Sequence, residues 1–387
     1  QHTAVKIAPA YAPPVTHVLD ASRAVGVVAG FLDRNRREQV VAQITAEQEQ
    51  LREQYSQRTS RPLYPLAEAR ARRPTIDWAA AELPRPEFIG RRVIANMPLD
   101  EIVPFIDWTF FFHAWELRGK FPGVLDHPKH GAAARELYDN AQTLLREMIA
   151  GGRLRAAGVY GFWPAVSEGD DVVLFADESL TDEVTRFPML RQQRQKADNK
   201  PQYSLADFVA PRESGRVDHV GTFAVTAGLG TDEIVADFKA QHDDYSAIMA
   251  KALCDRLAEA FAELLHHRAR REWGYGREEN LSHEDLVAER YRGIRPAFGY
   301  PACPDHLPKR RLFALLRPEE IGMSLSEGLA MMPPSSVSGI YLQHPEARYF
   351  AIGRLARDQV DDYAARMGMS VPEIERWLAA SLNYERD

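Results

Sequence analysis

The chain has 387 residues, 48 Lys and Arg against 55 Asp and Glu, a formal net charge of −7, and 45% hydrophobic residues. That balance suits a globular protein of about two or three domains, and its acidity argues against a general nucleic-acid partner. No apolar run approaches the roughly 20 residues a membrane-spanning helix needs, and two cysteines, Cys254 and Cys303, make neither a disulfide framework nor a metal cluster.

These features predict a cytoplasmic protein in a reducing compartment, with neither nucleic acid nor membrane as partner. The opening residues, QHTAVKIAPAYAPP, carry no initiator Met and no signal pattern, and read as a cut inside a longer protein. In chain order, residues 15–18 (VTHV) predict a short strand, and ASRAVGVVAGFL a small helix capped by Asp20 or Ser22. Strand, turn and helix are what the last unit of a parallel α/β domain would supply. Residues 33–60 predict a solvated helix, with apolar positions only at Val40, Val41, Ile44 and Leu51. Residues 57–75 (QRTSRPLYPLAEARARRPT) carry prolines and basic side chains without apolar periodicity, which suits a linker.

From about Asp77 the composition is that of a core-forming domain. Residues 99–117 (LDEIVPFIDWTFFFHAWEL) predict a helix near Pro104 with Phe105, Ile106, Trp108 and Phe112 on its buried face. Residues 130–152 show the 3.6-residue period at Leu137, Ala141, Leu144 and Met148, and stop at Gly151 and Gly152. Residues 158–166, 170–177 and 218–228 read as strands, the first two joined by the turn SEGD. Residues 231–273 form the longest periodic segment, one long helix with room for a bend. At the end, a helix stops at Gly368, and Ser370 with Glu373 makes a capping box for the next.

Several constellations have a bland reading that outweighs the chemical one. His242, Asp243 and Asp244 are adjacent in QHDDY, and adjacent helix positions do not converge on a metal, so capping or solvation is preferred. GLGTDE (228–233) lacks phosphate-loop spacing and reads as a strand-to-helix turn. Cys303 with His306 would be a nucleophile only with a third group to orient the base.

More useful is RPAFGYPACPDH (295–306), where Pro296, Pro301 and Pro304 fix the backbone of a stiff loop. Arg295 stands at its entrance with a planar fork suited to a carboxylate. Asp107 is a carboxylate inside an aromatic stretch, expensive unless a cation or donor meets it. Tyr349 and Phe350, in a predicted strand, bring faces suited to a sulfonium or an adenine. On residues alone, these groups fit either a grip on a cationic amino acid or internal pairing of Asp107 and Arg295, together or each with another partner.

RPAFGYPACPDH, the later run SVSGIYLQHPEARYFAIGRLARDQVDDYAARMGMSVPEIERWL, DWTFFFHAWELRGKFPGVL (107–125), SLADFVAP (204–211) and AQHDDYSAIMAKALCDRLAEAFAE (240–263) closely resemble the C-terminal activation domain of cobalamin-dependent methionine synthases. The resemblance covers about residues 77–387, and the front piece looks like the end of the cobalamin-binding domain. It implies three parts: 1–35, the end of that domain; 36–76, helix and linker; and 77–387, an α+β activation domain, C-shaped, with an antiparallel sheet and flanking helices. It implies S-adenosylmethionine as ligand and reductive methylation of cob(II)alamin to methylcobalamin, with the electron from flavodoxin or a similar reductase. Cobalamin, bound mainly upstream, and zinc, wholly upstream, belong to the rest of such an enzyme, and this part alone is not expected to make methionine.

Carried over by position, Asp107 would take the ligand's amino group and Arg295 its carboxylate. Ala297 and Tyr300 would face the adenosine, with Tyr349, Phe350 and Glu259 completing the site and Ala21 touching the corrin. Where this chain has Tyr349–Phe350, the family often has two tyrosines. Basic residues at 266–273 and 309–311 are candidates for docking an acidic reductase. Two competing functions remain: a non-catalytic module that only docks a reductase and the cobalamin domain, and an unrelated enzyme using Cys303.

Overall fold

A computed structural model of the chain describes residues 2–386 apart from 19, 20, 60, 61, 197, 199, 283, 284 and 287. The chain divides into two compact units, residues 1–64 with 194–199, and residues 65–193 with 200–387. In the first unit, α1 (Ala21–Leu32) and α2 (Arg37–Thr59) form as expected. The expected strand at 15–18 does not. A strand needs a neighbour for its backbone groups, and the Val15 carbonyl instead accepts from Gln48 Nε2.

The second unit is built around β2 (Arg155–Glu168), buried at every position from Ala156 to Ser167. Along one edge β2 pairs first with β1 (Gly90–Met97) and then with β3 (Asp171–Phe175); along the other it pairs with β5 (Asp218–Leu229). β4 (Glu183–Pro188) extends the sheet from β3. A small ribbon of β6 (Ser324–Leu325) and β7 (Met331–Met332) precedes β8 (Ser336–Tyr341), which closes the far edge on β5. Every one of these strand pairings is antiparallel.

Because side chains alternate along a strand, β2 feeds two cores. Tyr160 and Phe162 join Phe223, Leu257, Phe261 and Leu265 on one face. Val159 and Trp163 join Ala224, Phe298, Leu312 and Phe313 on the other. The first face is covered by α6 (Gly131–Ala150) and α8 (Asp244–Glu272), the second by the Pro308–Leu316 helix. At Gly158 a Cβ would lie 3.1 Å from the Phe261 ring, so the missing side chain lets α8 sit close on the sheet. Helices and an antiparallel sheet together make the expected α+β fold.

Three further expectations need correction. Part of the supposed linker is α3 (Leu66–Ala71), which buries Leu66 and Ala69. Arg70 explains the docking, since it pairs with Asp170 at 2.8 Å and Asp362 at 2.8 Å, a polar attachment that apolar periodicity does not reveal. The predicted 231–273 helix is two helices, α7 (Thr231–Ala240) and α8. The chain breaks at His242, whose φ is 60°, and Asp243 restarts it by accepting from Ser246 N at 2.9 Å. The predicted 99–117 helix is also broken, into α4 (Leu99–Ile102), a 3-10 turn (Val103–Phe105) holding Pro104, and α5 (Trp108–Ala114). Ile106, Trp108 and Phe112 are buried as expected, and Phe105 only partly.

Candidate functional site

One face of α8 carries Arg256, Glu259, Ala260 and Glu263, spaced three, four and seven residues apart, so their side chains share a stripe. That stripe forms one wall of a cavity of about 550 Å³. The loop 295–302 forms a second wall with Arg295, Ala297 and Tyr300. Phe105, Asp107 and Phe110, from the broken helix, form a third, and Tyr349 and Phe350 a fourth. Every residue the resemblance assigned to S-adenosylmethionine therefore meets at this cavity. Ala21, the corrin candidate, is the first residue of α1 in the other unit, and its side chain lies outside the described part.

Asp107 is the N-cap of α5: its Oδ1 accepts from Thr109 N at 2.8 Å. A donor-rich helix end answers the question of how a carboxylate survives in an aromatic stretch. Its other oxygen, Oδ2, has no protein partner among the described residues, and no pairing with Arg295 forms. Arg295 pairs instead with Glu263 Oε2 through Nη1, which also donates to the Tyr291 hydroxyl at 2.8 Å. Its side chain is 18% exposed. Burial would lower its pKa, but the charge of Glu263 raises it, so it is a fixed cation. Among the described residues Nε and Nη2 have no partner, which leaves two donors for a carboxylate.

The loop is held rigidly. Gly299 N donates to Cys303 O at 2.8 Å, and Cys303 Sγ donates to Ala297 O at 3.0 Å. Gly299 has φ 95°, and a Cβ there would lie 2.1 Å from His306 Cε1, so the turn is closed against that ring. Cys303 is buried, and burial pushes its thiol up; His306 contacts Lys309 Nζ at 2.9 Å rather than the sulfur. The thiolate-nucleophile reading fails on both counts.

Residues 347–350 are not the predicted strand; they form an irregular segment. The Tyr349 hydroxyl accepts from Arg295 N at 3.1 Å, and burial raises its pKa to about 12. The Phe350 ring lies 5.6 Å from that of Tyr203 and 6.4 Å from that of Phe208, a packed position that asks for no hydroxyl.

Sequence reasoning missed Arg256, Glu263, Glu289 and Tyr291. The first two were within reach, because Glu259 fixes which face of α8 looks into the cavity. Glu289 and Tyr291 lie in irregular chain, where no period applies. Glu289 has φ 52° and a pKa raised by burial. Four acids (Asp107, Glu259, Glu263, Glu289) and two arginines (Arg256, Arg295) line the cavity, so its walls are acidic.

The basic docking candidates survive only in part as surfaces, at exposed Arg268, Arg271 and Arg310. Lys309 is 6% exposed, and Arg311 spends its donors on the carbonyls of Arg186 and Met367. His266 and Arg270 are fully buried. Buried or internally paired charge cannot steer a partner through solvent.

The fold and cavity define an α+β domain with an acidic, aromatic-rimmed pocket. The family model for the vitamin B12 dependent methionine synthase activation domain matches residues 98–368, and the chain belongs to that family. A crystal structure of the MetH reactivation domain bound to AdoHcy is similar at 46% sequence identity and a TM-score of 0.82, the match covering 84% of this chain and 100% of that one. Among the described residues, no helix is long and apolar enough to cross a membrane.

Proposed function

We propose that the cavity binds S-adenosylmethionine and presents its methyl group to cobalamin held by the neighbouring domain of the same enzyme. The observation that carries this reading is the convergence of Arg295, Asp107 and the proline-stiffened loop on one cavity. The volume lies within the range of roughly 300–1,000 Å³ usual for such ligands. Arg295 Nε and Nη2 take the carboxylate, and the free Oδ2 of Asp107 takes the ammonium. The acid excess suits the added sulfonium charge, and the aromatic rim suits both sulfonium and adenine. The AdoHcy seen in the related domain, the demethylated form of this ligand, supports the assignment.

Bound cobalamin supplies the metal that accepts the methyl group, with one electron from flavodoxin or a similar reductase. The residues of this chain bind and orient the donor; they transfer no proton. We read residues 1–35 as the end of the cobalamin-binding domain, with Ala21 at the corrin. We place the protein in the cytoplasm as the reactivation portion of a 5-methyltetrahydrofolate–homocysteine methyltransferase. Calorimetric titration of the chain with S-adenosylmethionine tests the reading. One site per chain is expected, and an absence of binding would leave only a docking module.

A further inference from the structure

We propose that Tyr291 is a positioning residue for carboxylate recognition, a proposal that rests on the reading of Arg295 given above. The Tyr291 hydroxyl sits between two groups: it accepts from Arg295 Nη1 at 2.8 Å and donates to Glu263 Oε2 at 3.4 Å. Its ring is clamped. The His266 ring meets it edge-on, with centroids 4.9 Å apart, and the Arg270 guanidinium lies 4.0 Å from its centroid. Both clamps are themselves packed and partnered. His266 and Arg270 are fully buried; His266 stacks on Tyr341 at 4.9 Å, and Arg270 Nε bonds Glu279 at 2.9 Å.

An arginine has many rotamers, and its fork recognises a carboxylate only in one plane. Contacts at Nη1 fix that plane and leave Nε and Nη2 for the ligand. Glu263 shares the task but also pulls on the ligand ammonium and pushes on its carboxylate. Tyr291 is neutral, so its hydroxyl contributes position and almost no field. Lying four residues before Arg295, it also ties the segment ahead of the proline loop to the floor of the cavity.

The test compares wild type with Tyr291→Phe, titrating each with S-adenosylmethionine and with decarboxylated S-adenosylmethionine, which keeps the adenosine, sulfonium and amine and lacks only the carboxylate. Phenylalanine keeps the ring and its clamps, and thermal melting checks that the fold is intact. Loss of the hydroxyl's hold on the guanidinium, with Glu263 still pairing with Nη1, predicts a roughly three- to tenfold weaker affinity for S-adenosylmethionine, with the decarboxylated ligand unaffected. An equal loss on both ligands would show a merely structural tyrosine and overturn the proposal, as would no loss on either. If the wild-type chain binds both ligands alike, it is the assignment of the carboxylate to Arg295 that fails. If it binds neither, the proposed function itself fails.

Discussion

Replacing Arg295 by alanine removes a ligand contact and the counter-charge of Glu263 at once. Glu263 is 8% exposed, its Oε1 has no protein partner among the described residues, and Oε2 rests on Arg295 and Tyr291. Stripping one partner from a buried pair costs about 3–5 kcal/mol, because the remaining charge is uncompensated. The adjoining cavity admits some water to Glu263, which puts the expected cost near the low end, about 3 kcal/mol. Arg295→Ala should therefore melt earlier than wild type. Adding Glu263→Gln removes the stranded charge and should recover most of that stability. Binding should not recover: S-adenosylmethionine affinity stays down by roughly ten- to a hundredfold for want of a charge-assisted bond. Arg295→Lys separates the two roles differently, keeping a cation for Glu263 but losing the fork. Thermal melts and ligand titrations on these variants decide the matter. If Glu263→Gln restores nothing, the pair is not what balances the buried charge. If the double variant binds as wild type does, Arg295 is not the ligand's anchor.

Asp107→Asn should keep α5, since asparagine caps a helix as well as aspartate, and should weaken S-adenosylmethionine binding in titration; a drop in melting temperature with full affinity would make Asp107 structural. Gly299→Ala puts a Cβ 2.1 Å from His306 Cε1 at a φ of 95°. It should cost about 1–3 kcal/mol in melts and weaken ligand binding by displacing the loop, and an unchanged affinity would show that the loop's shape does not matter. Asp218 is buried, and burial raises its pKa to about 6 despite bonds from Gln343, His219 N and Ala210 N. A raised carboxyl favours folding below the ordinary value of about 4 and loses that contribution as pH climbs through about 6. The difference in melting temperature between Asp218→Asn and wild type should thus move in the variant's favour from pH 4 to 7, and a constant difference would refute the burial argument.

Most of the central elements were legible because α6 buries one face and so carries a period, while β2, β3 and β5 are buried on both faces and read as short, nearly continuous apolar runs. β2, β3, β5 and α6 lie close to where the apolar pattern puts them. β1 and β4 were missed because they have partly exposed faces and polar residues such as Arg91, Arg92 and Glu183, so their pattern is weak. The break between α7 and α8 hides in a continuous apolar period, and only the capping aspartate of QHDDY marks it. The choice of partner for Arg295 was beyond any local signal: Glu263 lies 32 residues away in the chain, and either acid satisfied the chemistry.

The basic patches show where a legible signal went unread. In PKRRLFALL the positions 309, 312, 313 and 316 stand three, four and seven apart, and Leu312, Phe313 and Leu316 are plainly core. Lys309 shares their face and had to be buried, whatever its charge. The same count joins His266 to Ala269, Arg270 and Trp273 on α8 and its C-cap, all of them buried. Runs of basic letters suggest a surface, but a helix distributes neighbours around its axis, so only the residues off the apolar face remain for a partner. On this unit that leaves Arg268 and Arg271 from one run and Arg310 from the other. Arg268 already pairs with Glu272 at 3.1 Å. Charge reversal at Arg271 and Arg310, rather than at Lys309, is therefore the substitution whose effect on reductase-dependent reactivation reports on docking. A fall in rate that flattens with added salt would identify a steering surface, and an unchanged rate and salt slope would send the search for the reductase to another face.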